Sequence, residues 1–125
     1  MHEWQMIFYH GTSKDSAMNI KTNGFSWDYV GTQWGSTYGK AIYFTNNYKE
    51  AECYAGVDGE VLKVEVLNYN PLKLTKDYSP SSKKHVSEIR TIIMYSKLNS
   101  TKNCLVNIHN NEFIFFNKFD YKIYL

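Results

Sequence analysis

The order in which strand-like and helix-like segments follow one another constrains this chain more than any other feature. Read from hydrophobic period and turn residues, that order is β-α-loop-β-α-β-β-α-β-β-β, with strands and helices only partly interleaved. No βαβ unit repeats, so the pattern predicts an α+β fold rather than a doubly wound parallel sheet. The 125 residues leave room for a single domain, 1–125, whose core needs neither metals nor disulfides.

The segments are read as follows. Met6–Tyr9 is an apolar run that stops at a turn, His10-Gly11-Thr12. Lys14 to Asn23 is weakly amphipathic, with Ser13 or Asp15 as N-cap and Gly24 as the stop. Residues 25–39 carry Gly31, Gly35 and Gly39 among Ser, Thr, Trp and Tyr with no regular period. That predicts a loop of about fifteen residues, a length that in a small domain signals function or disorder. Three aromatics, Trp27, Tyr29 and Trp34, favour function. Ala41–Thr45 reads as a strand and Asn47 to Ala55 as a helix ended by Gly56.

Glu60–Leu67 alternates, with Leu62, Val64 and Val66 on one face and Lys63 and Glu65 on the other, as a half-buried strand does. Pro71 marks a turn before a short strand, Leu72–Leu74. Ser82 caps a helix to about Leu98, with Val86, Ile89 and Ile93 as its apolar stripe. Cys104–Ile108, Glu112–Asn117 and Tyr121–Leu125 complete the strands.

Several function classes fall away. The net charge is +2, and Arg90 is the only arginine among 14 basic residues. Phosphate and base recognition lean on the arginine fork, so this is not a dedicated nucleic-acid surface. Cys53 and Cys104 lack zinc-ligand spacing and read as buried thiols. Neither a signal peptide nor an apolar run of about 18 residues is present, which predicts a soluble, cytoplasmic chain with no membrane span. The Rossmann, P-loop, HExxH and GxSxG signatures are all missing.

What remains is a set of polar and aromatic residues at strand ends. His10 and Gly11 follow the first strand, and Tyr43 lies in YGKAIYF (38–44). Tyr54 sits on the next helix, and Glu112 opens the apolar run Phe113-Ile114-Phe115-Phe116. A carboxylate at the mouth of such a strand is partly desolvated and calls for a reason. Taken singly, each has a plain structural explanation: a satisfied histidine, a core tyrosine, a solvated edge charge. The residues alone therefore reach an α+β domain with a polar-aromatic pocket.

Three blocks in order, YHGT (9–12), YGKAIYFTNNYKEAECYA (38–55) and NEFIFF (111–116), give the chain a family likeness. It resembles the catalytic domain of the poly(ADP-ribose) polymerase family, the diphtheria-toxin-like ADP-ribosyltransferases. The eleven-residue separation of Tyr43 and Tyr54 and the closing IYL (123–125) are similar too.

The resemblance implies a split sheet around NAD+ as co-substrate, without a metal, and a catalytic triad of His10, Tyr43 and Glu112. His10 would bond the adenosine-ribose 2′-hydroxyl, and Thr12 would touch the same ribose. Gly11 would clamp the nicotinamide carboxamide through its backbone, where a side chain would block the approach. Tyr43 and Tyr54 would sandwich the nicotinamide ring, and Glu112 would stabilise the positive charge that grows as the glycosidic bond breaks. Residues 25–39 would be the donor loop.

Two positions depart from the family pattern. Ala51 stands where family members carry a carboxamide-binding serine, and Ala41 replaces a glycine. The implied activity is mono-ADP-ribosyl transfer from NAD+ to a macromolecular acceptor, protein ahead of nucleic acid, by a monomeric, constitutively active enzyme without added domains. The composition suits a toxin or defence factor. NAD+ glycohydrolase activity and a non-catalytic NAD or ADP-ribose-binding module are the alternatives. An RNA 2′-phosphotransferase is disfavoured by the single arginine.

Overall fold

Among the described residues the apolar runs and cap residues become strands and helices, and the fold is α+β. A computed structural model describes residues 6–26, 41–74, 102–107 and 111–125. Within them lie β1 (Met6–Thr12), α1 (Lys14–Asn23), β2 (Ile42–Phe44), α2 (Tyr48–Ala55) and β3 (Glu60–Val66). They are followed by β4 (Pro71–Leu74), β5 (Cys104–Asn107), β6 (Glu112–Phe115) and β7 (Tyr121–Tyr124). The helix expected over 82–98 and the loop aromatics Trp27, Tyr29 and Trp34 lie outside the described residues.

Both helices begin and end on local chemistry. The Ser13 hydroxyl accepts from the Ser16 N–H at 3.2 Å, and the Asn47 side-chain Oδ1 accepts from Lys49 and Glu50 N–H at 2.9 and 3.3 Å. These side chains satisfy amides that have no partner inside the helix. Gly24 and Gly56 end the helices at φ 81° and 73°, a region open to glycine, and return their N–H to Ile20 and Glu52.

The strands form two sheets. One is antiparallel in the order β1-β3-β7; the other runs β2-β6-β5-β4, with β4 and β5 parallel and the remaining pairs antiparallel. Each four-stranded-sheet face has its own character, because alternate residues point to opposite sides. Ile42, Phe44, Phe113, Phe115, Cys104 and Val106 share one face and join Phe8, Leu62, Val64 and Val66 of the other sheet in the main core. Ala17 of α1 is fully buried in the same core. The opposite face carries Leu105 and Ile114 in a smaller cluster, with Tyr43 against it.

Three expectations need correction. His10, Gly11 and Thr12 do not form a turn: β1 runs through them, opposite Leu62, Val61 and Glu60. Pro71 starts β4 rather than preceding it. Its missing N–H is tolerated there because Pro71 is the first residue of β4, the outermost of the described strands in its sheet. Cys104 is buried as expected, and burial pushes its thiol pKa up, but Cys53 is exposed. On α2 the buried residue is Ala51, and a position two further on lies on the far side of a helix.

Candidate functional site

Besides sharing a core, the two sheets are linked among the described residues by one backbone bridge, and beyond it they part. Tyr9 and Thr45 exchange both backbone hydrogen bonds, at 2.7 and 3.0 Å. Two residues further along, an unbroken antiparallel ladder would set Gly11 opposite Tyr43. Instead the His10 side chain crosses the gap, and its Nδ1 lies 2.8 Å from the Tyr43 carbonyl oxygen.

Backbone groups alternate sides along a strand. Tyr9 turns its N–H and C=O toward Thr45, so Gly11 turns its own pair the same way, away from β3 and into the opening. No strand among the described residues pairs with Gly11 on that side. The result is a donor and an acceptor side by side at the edge of a strand.

Helix packing by itself calls for glycine at position 11. A Cβ there would overlap the Ala51 carbonyl oxygen and lie 2.8 Å from the Ala51 carbonyl carbon and 2.9 Å from the Ala55 nitrogen. The bare α-carbon lets α2 lie directly on β1. Ala51, fully buried, is thereby brought beside Gly11.

His10 is held on two sides. A carbonyl only accepts, so Nδ1 carries the proton in the bond to Tyr43, and in the neutral ring Nε2 is left as an acceptor. Phe25 and Phe44 meet the imidazole edge-to-face, with centroids 5.4 and 5.6 Å away. Phe25 is itself fixed, since its N–H donates to the Tyr121 hydroxyl at 2.8 Å. Burial among these rings lowers the His10 pKa below 6.5, against the opposing pull of the Tyr43 carbonyl. The ring is neutral at neutral pH.

Tyr43 pairs with Ile114, so Tyr43 and Glu112 lie on adjacent strands, on the same face and two residues apart in register. Asn107, fully buried, is directly opposite Glu112 on β5 and shares that face. Tyr54 stands at the end of α2 with 66% of its surface exposed. Its phenol pKa is raised, first by partial burial and then by the charges of Glu112, Glu50 and Cys53. Thr12 ends β1 opposite Glu60, beyond the opening.

The structure thus joins His10 to Tyr43 directly and Gly11 to Ala51, sets Tyr43 and Glu112 on one sheet face, and brings Tyr54 within electrostatic reach of Glu112. Sequence reasoning missed Glu50. Its carboxylate accepts from the Thr45 hydroxyl at 3.1 Å and from the Asn111 side-chain amide at 3.3 Å. The available signal was Asn47-x-x-Glu50, a helix-capping pattern. In the structure the Asn47 N–H goes to the Thr45 hydroxyl at 3.1 Å, and Glu50 turns to Thr45 and Asn111.

Among the described residues, no three His, Cys, Asp or Glu side chains gather to hold a metal, and no helix is long and apolar enough to cross a membrane. No protein-family model and no curated protein matches the chain.

Proposed function

We propose that this chain is a mono-ADP-ribosyltransferase that cleaves NAD+ at the nicotinamide–ribose bond and passes ADP-ribose to an acceptor. The observation that carries this reading is the backbone pair of Gly11 where β1 and β2 part, which no strand among the described residues takes up. A primary carboxamide offers an acceptor oxygen and a donor nitrogen on one planar edge, the complement of a strand residue without a neighbour. Nicotinamide bears such a group.

The surrounding residues support the remainder of the dinucleotide. The His10 Nε2 accepts from a ribose hydroxyl. Tyr43 and Tyr54 face the cationic pyridinium with electron-rich rings, a favourable pairing of cation and aromatic faces. Glu112 answers the charge that grows on the ribose as the C1′–N bond breaks and its electron pair leaves with nicotinamide. The transition state is oxocarbenium-like, as in glycoside hydrolysis. A fixed carboxylate in a cleft that excludes water stabilises it far better than one in bulk solvent. The acceptor then supplies an electron pair to C1′ and gives up its proton.

Ala51 brings no hydroxyl to the carboxamide, so Gly11 holds that group without the serine contact of the family it resembles. A chain with one arginine suits a protein acceptor better than a nucleic acid. The proposed setting is the cytoplasm, of the producing cell or of a target cell.

The test is nicotinamide release from NAD+ by the purified protein, with and without cell lysate, beside Glu112→Gln. Release that rises with lysate and falls by about 10²–10³ in the variant is the expected result. Equal release without lysate makes water the acceptor and the protein a glycohydrolase. No release in either condition, with NAD+ still bound, makes it a binding module.

A further inference from the structure

Glu50 is a half-buried carboxylate that the proposed chemistry does not use, and its two hydrogen bonds reach the two places where the site is assembled. Thr45, which donates to it at 3.1 Å, is the residue whose backbone joins the two sheets through Tyr9. Asn111, which donates to it at 3.3 Å, immediately precedes Glu112. Asn111 has φ 53°, in the left-handed region that asparagine enters more readily than other non-glycine residues. The next residue on α2, Ala51, is the one packed against Gly11. One turn of α2 therefore touches both walls of the opening, the Gly11 edge and the turn that leads into Glu112.

We infer that Glu50 is a positioning residue: through Asn111 it fixes the turn that aims Glu112, and through Thr45 it refers that turn to the junction of the two sheets. This rests on the transferase reading for its kinetic consequence and on geometry alone for its structural one. A carboxylate suits the task because it accepts from both donors at once while contributing no donor that would need its own partner. Displacement of a reacting group by about 1 Å costs of the order of a hundredfold in rate, so a loosened turn is read directly in turnover.

The experiment compares Glu50→Ala, Asn111→Gly, the double variant and Glu50→Gln. Asn111→Gly keeps the left-handed backbone and removes only the contact, so it reports even where Glu50→Ala folds poorly. Each of these two singles is expected to lower kcat for nicotinamide release by about tenfold to a hundredfold with the KM for NAD+ within about twofold. The double is expected to lose no more than the deeper single, because both remove one interaction. Glu50→Gln is expected to keep most of the activity, since its amide still accepts from Thr45 and Asn111 can rotate to accept from it.

Amide hydrogen exchange at Glu112 is followed in the same proteins without NAD+, with Val64 in the core as reference. It is expected to quicken in Glu50→Ala and Asn111→Gly while Val64 is unchanged. Quickened exchange in a protein that releases no nicotinamide supports the positioning role and removes the transferase reading. Unchanged exchange at Glu112, or kcat losses that simply multiply in the double variant, overturns the inference.

Discussion

Replacing Gly11 by alanine separates a glycine kept for a turn from one kept for packing. The added methyl would overlap the Ala51 carbonyl oxygen and lie 2.8 Å from its carbonyl carbon. Carbon atoms rest at about 3.5 Å or more, so α2 must retreat by about 0.7 Å to clear that carbon, and further to clear the oxygen. The obstacle is helix backbone, which no side-chain rotation relieves. Overpacking of this kind costs about 1–3 kcal/mol, and roughly 3–6 °C of Tm per kcal/mol is expected for a chain of this size. The expected drop is therefore about 3–18 °C, read by far-UV circular dichroism.

The retreat also carries Glu50 and Ala51 away from Asn111 and Gly11, so nicotinamide release should fall by more than the loss of folded protein explains. A variant that melts within about 2 °C of the parent would show that α2 does not lie on the Gly11 α-carbon, and the packing argument would fail.

Three further perturbations follow from the same geometry. Tyr54→Ala should leave the melting temperature nearly unchanged, because the ring is mostly exposed. It should raise the KM for NAD+ by about fivefold to thirtyfold, for a stacking and cation–π loss of about 1–2 kcal/mol; an unchanged KM would remove Tyr54 from the ring site. Burial sets the His10 pKa of the folded protein below the 6.5 of a free imidazole. The His10 contribution is thus complete above that value and is lost as pH falls, because the unfolded chain takes up the proton first. Urea midpoints between pH 7.5 and 5.5 should therefore fall more steeply in the parent than in His10→Gln, and parallel curves would contradict this. Tyr121→Phe deletes the acceptor of the Phe25 N–H and should cost about 1 kcal/mol in urea unfolding; no loss would mean that Phe25 is anchored by packing alone.

Much of the fold was written in local chemistry. Ser13 and Asn47 announced helix starts because an exposed amide needs a nearby acceptor, and Gly24 and Gly56 announced the ends because few residues tolerate their φ. The alternation of Leu62, Val64 and Val66 named the buried face of β3. What failed was long-range. Gly11 looked like a turn because a glycine signals backbone freedom, whereas this one accommodates a helix that arrives forty residues later. Pro71 looked like a turn because sequence does not say that β4 is outermost among the described strands of its sheet.

The candidate site divides in the same way. His10, Gly11, Tyr43 and Glu112 stood out at or near the ends of apolar strands, and only the family resemblance joined them into one site. That β1 and β2 part after Tyr9 and Thr45, with His10 taking the Tyr43 carbonyl, depends on how two sheets meet. Glu50 drew no notice because both of its donors, Thr45 and Asn111, come from outside its helix.

The central claim is that the Gly11 edge receives a carboxamide. A titration of the 15N-labelled protein with nicotinamide, followed amide by amide, tests it without requiring turnover or an acceptor. The Gly11 N–H is expected to show a saturable downfield shift as it acquires a hydrogen-bond partner, with the Val64 amide in the core unmoved. A Gly11 amide that stays in place while nicotinamide binds elsewhere, or does not bind at all, would contradict it.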